Sequence, residues 1–89
     1  MQIIRYKQFV SDFKKIKLSD TQFNKFIHFT YCLQNDQTLP KEAKDHALKG
    51  EYQNYREFHL GGDMLIIYKQ IDKNTIIYVR IGTHAQLFK

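Results

Sequence analysis

The spacing of hydrophobic positions changes character along this chain, and each change marks an element. Gln2-Ile3-Ile4-Arg5-Tyr6 is a short apolar, β-branched run that predicts an edge strand. Phe9, Phe13 and Ile16 then recur at helical intervals, with Lys14, Lys15 and Lys17 between and after them, as in a short amphipathic helix. Ser19 followed by Gln22 is a capping-box pattern, in which each side chain satisfies a free backbone donor of the other residue. It predicts the start of a second helix with Phe23, Phe26, Ile27, Thr30 and Leu33 as its buried stripe, ending at Asn35-Asp36. Two short helices joined by a tight turn form a helical hairpin. The pattern dissolves from Gln37 to Gly50, where Pro40 breaks regular structure and charged side chains crowd into a loop.

Period two takes over in the second half. Residues 52–60 alternate, with Arg56, Phe58 and Leu60 on one side and Tyr55, Glu57 and His59 on the other. Gly61-Gly62-Asp63 is a hairpin turn. Residues 64–71 are nearly continuously apolar, as in a central strand covered on both faces. A second turn at Asp72-Lys73-Asn74 leads to residues 75–81, where alternation puts Ile77, Val79 and Ile81 on one face and Ile76, Tyr78 and Arg80 on the other. Gly82 ends this strand. The predicted architecture is α+β: an N-terminal strand and a two-helix hairpin packed on one face of a small, mostly antiparallel sheet. The opposite face would be open and carry Tyr55, His59, Tyr68, Tyr78 and Arg80.

With 89 residues the chain reads as one domain, 1–89, with a modest core. A net charge of +5 makes polyanions the natural partners: RNA, DNA, an anionic membrane or an acidic protein. Many globular domains carry a few excess charges, so charge alone does not choose among these. The single cysteine, Cys32, lies in an apolar helical pattern and reads as a small buried hydrophobe, so no disulfide within the chain is expected. No CxxC, HExxH or EF-hand spacing is present, and no metal or cofactor is expected. The opening residues are charged too early for a signal peptide, and no apolar run approaches a membrane span, so the expected location is cytoplasmic.

The candidate chemistry is in the histidines. Of His28, His46, His59 and His84, the last three lie in the second half, each beside a turn or loop. Imidazole can both give and take a proton near neutral pH. RNA cleavage without a metal needs a base for the 2′-hydroxyl, an acid for the leaving 5′-oxygen and a cation for the phosphorane. His59, Asp63, Arg80 and His84 fall at strand ends that neighbouring strands would bring together. Spacing alone leaves the plainer alternative open, in which each histidine is simply solvated.

Three stretches narrow the choice. Lys44-Asp45-His46-Ala47-Leu48-Lys49-Gly50, then Tyr55-Arg56-Glu57-Phe58-His59 with Asp63, then Arg80-Ile81-Gly82-Thr83-His84 closing on Leu87-Phe88, resemble in order and spacing the YafQ branch of the RelE-like toxins. The first half resembles that branch only in layout. The resemblance implies the RelE-like microbial ribonuclease fold and the toxin role in a type II toxin–antitoxin system, an endoribonuclease that cleaves mRNA on the ribosome without a metal. It places His46, His59, Asp63, Arg80, His84 and Phe88 at the catalytic site, with His84 as general acid, Asp63 and His59 as base or base-orienting groups, and Arg80 stabilising the phosphate. Lys44, Lys49, Arg56 and Tyr78 would contact RNA, although Arg56 shares a face with Phe58 and Leu60 and also reads as a structural ion pair. The lysines Lys14, Lys15 and Lys17 either solvate a helix or touch ribosomal RNA. The implied partner is an acidic, partly disordered antitoxin of the DinJ or RelB kind, with DNA reached only through that complex. Met64 stands where the branch often has tryptophan, which exchanges a base-stacking ring for a softer contact. The competing class is a non-catalytic basic module that binds RNA or an acidic protein.

Overall fold

The computed structural model describes residues 1–88. The chain runs β1 (Gln2–Arg5), α1 (Lys7–Lys15), α2 (Asp20–Gln34), β2 (His46–Ala47), β3 (Arg56–Gly61), β4 (Met64–Asp72), β5 (Thr75–Thr83) and α3 (His84–Leu87), with single 3-10 turns at Lys41–Ala43 and Gly50–Tyr52. The strands form one sheet in the order β1-β5-β4-β3-β2. Among the described residues only the β1–β5 pair is parallel; β2–β3, β3–β4 and β4–β5 are antiparallel. The α+β architecture is the one the pattern predicts.

The capping box forms as read. Ser19 Oγ accepts from the Gln22 N–H at 3.1 Å, and Gln22 Oε1 accepts from the Ser19 N–H at 3.0 Å. Gln22 also donates from Nε2 to the Gly61 carbonyl at 2.9 Å, which fastens the start of α2 to the β3–β4 hairpin. The buried stripe of α2 differs from the predicted one. Phe29 and Cys32 are buried, with Phe26 and Leu33 beside them, whereas Phe23 and Ile27 are 47% and 52% exposed. Apolar residues surround this helix on several sides, so spacing alone does not select the buried face.

The helix side of the sheet holds the larger cluster: Phe9, Phe29, Phe58, Leu60, Ile66, Tyr68, Ile76, Tyr78 and Ile81, joined by Leu39 and Ala43 from the 37–50 segment. That segment is therefore anchored rather than loose. The other face is not open. Leu65, Ile67 and Leu87 form a second cluster with Leu48, Tyr52, Tyr55, Val79 and Phe88 packed around it.

Two of the residues assigned to an open face lie instead in the main core. Tyr68 and Tyr78 are 4% and 1% exposed, and Tyr78 shares a 2.7 Å hydrogen bond with Thr30. The cause in β5 is a bulge. Ile67 pairs with Arg80 but Tyr68 pairs with Tyr78, so Val79 is an extra residue and the alternation slips there. Ile76, Tyr78 and Ile81 consequently share the helix side, while Val79 joins the opposite cluster.

Candidate functional site

Two antiparallel registers bring the candidate residues to one end of the sheet. His46 pairs with Glu57, Glu57 with Ile67, and Ile67 with Arg80; in the next row His59 pairs with Leu65 and Leu65 with Gly82. His59 and Gly82 are thus two strand spacings apart, about 10 Å. Glu57 and His59 point away from Phe58 and Leu60, onto the face floored by Leu65 and Ile67.

On the β3 side the groups touch. Glu57 is 4% exposed, and its Oε2 accepts from His59 Nε2 at 2.9 Å and lies 3.3 Å from His46 Nε2. The His46 and His59 rings stack with centroids 6.1 Å apart. His46 Nδ1 donates to the Lys44 carbonyl at 2.6 Å, which places a proton on Nδ1 and makes Nε2 the nitrogen that faces Glu57. Lys44 holds its carbonyl there from a left-handed conformation, φ +50°. Asp45 ties this loop to the sheet, accepting from the Tyr68 hydroxyl at 2.7 Å and from Arg56 Nε at 3.2 Å. Burial and then the Asp45 carboxylate push the Tyr68 phenol well above its usual range.

On the β5 side a second group forms. Thr83 and Gln86 make a capping box that starts α3, with bonds of 3.2 and 2.8 Å. The His84 N–H donates to the Asp63 carbonyl at 3.2 Å, joining the tip of the β3–β4 hairpin to α3. The His84 and Phe88 rings lie 4.6 Å apart, and Phe88 meets Tyr52 edge-on at 5.5 Å. Arg80 sits beside Tyr52 and is held by Asp12 of α1, with Nε to Oδ2 at 2.7 Å and Nη2 to Oδ1 at 3.2 Å. That pairing keeps the guanidinium above its usual pKa. For Asp12, burial acts upward, but hydrogen bonds from Arg80, the Ile81 N–H and Gln8 outweigh it and hold the carboxyl below its usual value. Lys49 lines an open hollow of about 310 Å³ with Glu51, Tyr52, Leu87 and Phe88.

The predicted set therefore arrives as two groups on one sheet end: His46 with His59, and His84 with Phe88, Arg80 and the Asp63 main chain. The Asp63 side chain is exposed at the hairpin tip. Two predicted RNA contacts are corrected. Tyr78 is a core residue, for the reason given by the bulge. Arg56 pairs with Tyr68 across the strands, on the helix side, and its side chain is bound to Asp45; it lies on the face opposite His59. Glu57, Asp12 and Tyr52 were missed. A charged residue alternating in phase with His59 was the available signal for Glu57; Asp12 and Tyr52 had none. The Thr83-x-x-Gln86 pattern that begins α3 matches the box recognised at Ser19. Sequence spacing suggested no metal set, yet the fold gathers ligand atoms of His46, Glu57 and His59 within 4.8 Å of one another, a spacing that a divalent cation could bridge.

A small mostly antiparallel sheet backed by two helices on one face is the RelE-like fold, and in this chain histidines, a buried carboxylate and an arginine collect at one end of the other face. Within that class of fold, the family profile for the bacterial toxin of type II toxin–antitoxin systems, YafQ, matches residues 1–89, and the chain belongs to that family. The mRNA interferase toxin YafQ of Escherichia coli K12 is 37% identical over 82 residues, covering 91% of this chain and 88% of the relative. The crystal structure of YafQ from E. coli BL21(DE3) superposes with a TM-score of 0.85 at 31% identity, covering 99% of this chain and 98% of the other. YafQ in the E. coli DinJ–YafQ toxin–antitoxin complex gives 0.81 at 32% identity, covering 99% and 97%. No helix of the described residues is long and apolar enough to cross a membrane.

Proposed function

We propose that this chain is an mRNA interferase, the toxin of a type II toxin–antitoxin pair, acting as one domain in the cytoplasm on mRNA held by the ribosome. The observation that carries the reading is that two groups, His46–Glu57–His59 and His84–Phe88 with Arg80, stand at the same end of one sheet face, on strands two spacings apart. Cleavage proceeds by attack of a 2′-hydroxyl on the adjacent phosphorus, which yields a 2′,3′-cyclic phosphate and a 5′-hydroxyl. His84 gives the proton to the leaving oxygen. His59 and Asp63 take or orient the first proton, with His46 helping to hold the scissile phosphate. Arg80 meets the charge of the phosphorane, and Phe88 sets the His84 ring. Lys44 and Lys49, both exposed, contact the RNA backbone. No metal takes part. The partner is an acidic antitoxin of the DinJ or RelB kind that covers the basic surface, and DNA is bound only through that complex.

The test is mRNA end mapping after induction without antitoxin, and on ribosomes in vitro with and without a chelator. The expected result is cleavage that survives chelation and leaves cyclic-phosphate ends, slowed about 10²–10⁴-fold by His84→Ala. Parental cleavage by His84→Ala removes the assigned acid. Salt-sensitive RNA binding with no cut ends under any condition leaves the non-catalytic module. Loss of cleavage on chelation, restored by a divalent ion, moves the His46–Glu57–His59 cluster from proton transfer to metal binding.

A further inference from the structure

The function proposed above uses Arg80 and gives no task to the residue that grips it. Asp12 projects from α1, is 8% exposed and accepts four hydrogen bonds. Oδ2 takes Arg80 Nε at 2.7 Å and the Ile81 N–H at 3.1 Å; Oδ1 takes Arg80 Nη2 at 3.2 Å and Gln8 Nε2 at 3.3 Å. β1 pairs with β5 only from Thr75 to Tyr78, so the main chain at Arg80 and Ile81 runs on beyond the end of β1. Satisfying the Ile81 N–H there needs one oxygen, and an amide would serve. A carboxylate brings two, and both also meet the guanidinium side-on, the planar two-point pairing that arginine forms and lysine cannot.

We propose that Asp12 is the positioning residue for Arg80, fixing the guanidinium before RNA arrives so that the donors Asp12 does not engage are already aimed when charge develops on the phosphorane. This rests on the role proposed for Arg80. A long flexible side chain on an otherwise open strand edge would have to be ordered during the reaction; the Asp12 pair orders it beforehand, which is where preorganised electrostatic stabilisation gets its advantage. The pairing also offsets part of the Arg80 charge, so it weakens general attraction for RNA while sharpening direction. Its signature is therefore in kcat rather than in KM.

The experiment uses the full-length toxin freed of its antitoxin, with mRNA cleavage on ribosomes as the readout. Asp12→Asn keeps an oxygen for the Ile81 N–H but loses the charge and the second acceptor. The expected kcat falls by up to about 100-fold with KM unchanged within a factor of about three. In an Arg80→Ala background the same substitution should leave kcat unchanged, since Asp12 reaches the reaction only through Arg80. The proposal is overturned if Asp12→Asn cleaves at the parental rate while Arg80→Ala is impaired, or if it slows Arg80→Ala by the same factor as it slows the parent. Arg80→Ala cleaving at the parental rate instead removes the role of Arg80, and the proposal with it. Should Asp12→Asn not fold, Asp12→Glu keeps the charge and displaces the fork by one methylene; reduced kcat is expected there, and parental kcat overturns the proposal.

Discussion

Two buried carboxylates organise the site at the scale of single residues, and they do so differently. Glu57 stands between two imidazoles, so its charge acts on groups proposed to move protons. Glu57→Gln preserves the volume and an oxygen for His59 but removes the charge. Cleavage should fall about 100-fold, the low end of what a proton-transfer group contributes. Melting temperature, measured in parallel, should move by only a few degrees, about the response to 1 kcal/mol in a domain this small. A parental cleavage rate would reduce Glu57 to a structural counter-charge. Asp12 instead contributes to stability in a way that acid reveals. Its folded-state pKa is depressed, because hydrogen bonds from Arg80, Ile81 and Gln8 outweigh the upward effect of burial. The sign follows from linkage: a depressed carboxyl adds stability that is present above the unfolded-state pKa of about 3.9 and is lost as pH falls through the lower folded value. Urea midpoints of the parent should therefore drop below about pH 4, and Asp12→Asn should show a shallower drop. Identical acid limbs for the two proteins would show that the Asp12–Arg80 pair does not carry that dependence.

Elements place these residues, and the C-terminal turn is the most exacting of them. Gly82 is buried, and a Cβ there would lie 2.9 Å from Gln86 Oε1 and 3.1 Å from Leu87. Gln86 cannot easily retreat, since the same oxygen closes the Thr83 capping box. Gly82→Ala should therefore lift α3 off β5, costing about 1–3 kcal/mol as overpacking does. It should lower cleavage further than the stability loss explains, because His84 and Phe88 ride on that helix; unchanged cleavage at a temperature where the variant is fully folded would contradict this. Much at this scale was legible in the sequence. The Ser19 box, both hairpin turns, the central strand and the helix–helix–meander order could be read because each rests on local chemistry or on an unbroken period. The misreadings have physical causes. The bulge at Val79 reverses facing midway through β5, so alternation carried through it tied Tyr78 to the face of Arg80 and opposed it to Ile81, with which it shares the core. The apolar residues of α2 offer two overlapping stripes, and contact with the sheet picks the one through Phe29 and Cys32. For the site, motif order gave the histidines, but Asp12 is separated from Arg80 by 68 positions, and no local pattern announces such a pair.

For the molecule as a whole, the sheet separates two tasks. Its helix side carries the large aromatic core, and its other face carries the proposed chemistry on a much smaller cluster. The core nonetheless contains two phenols, each committed to one partner, Tyr68 to Asp45 and Tyr78 to Thr30. Burial pushes both well above the ordinary tyrosine value; Asp45 raises Tyr68 further, and the Thr30 bond offsets only part of the effect on Tyr78. A raised folded-state pKa contributes stability that is complete below the unfolded value of about 10 and is lost as pH rises beyond it, since only the unfolded chain then releases the proton. The fold should thus fail at alkaline pH from its core rather than from its site. Tyr78→Phe isolates the effect, since it keeps the ring packing against Phe9, Phe26 and Phe58 and removes the group that titrates. Near neutral pH the variant should be less stable by about 1 kcal/mol, the net worth of the lost hydrogen bond. In urea titrations from about pH 8 to 11 that deficit should shrink and then reverse, because the parent loses the Tyr78 contribution above about pH 10 and the variant has none to lose. Lysine deprotonation affects both proteins alike and cancels in the difference. Parallel curves across the range would mean that the Tyr78 proton is not what ties the core to pH.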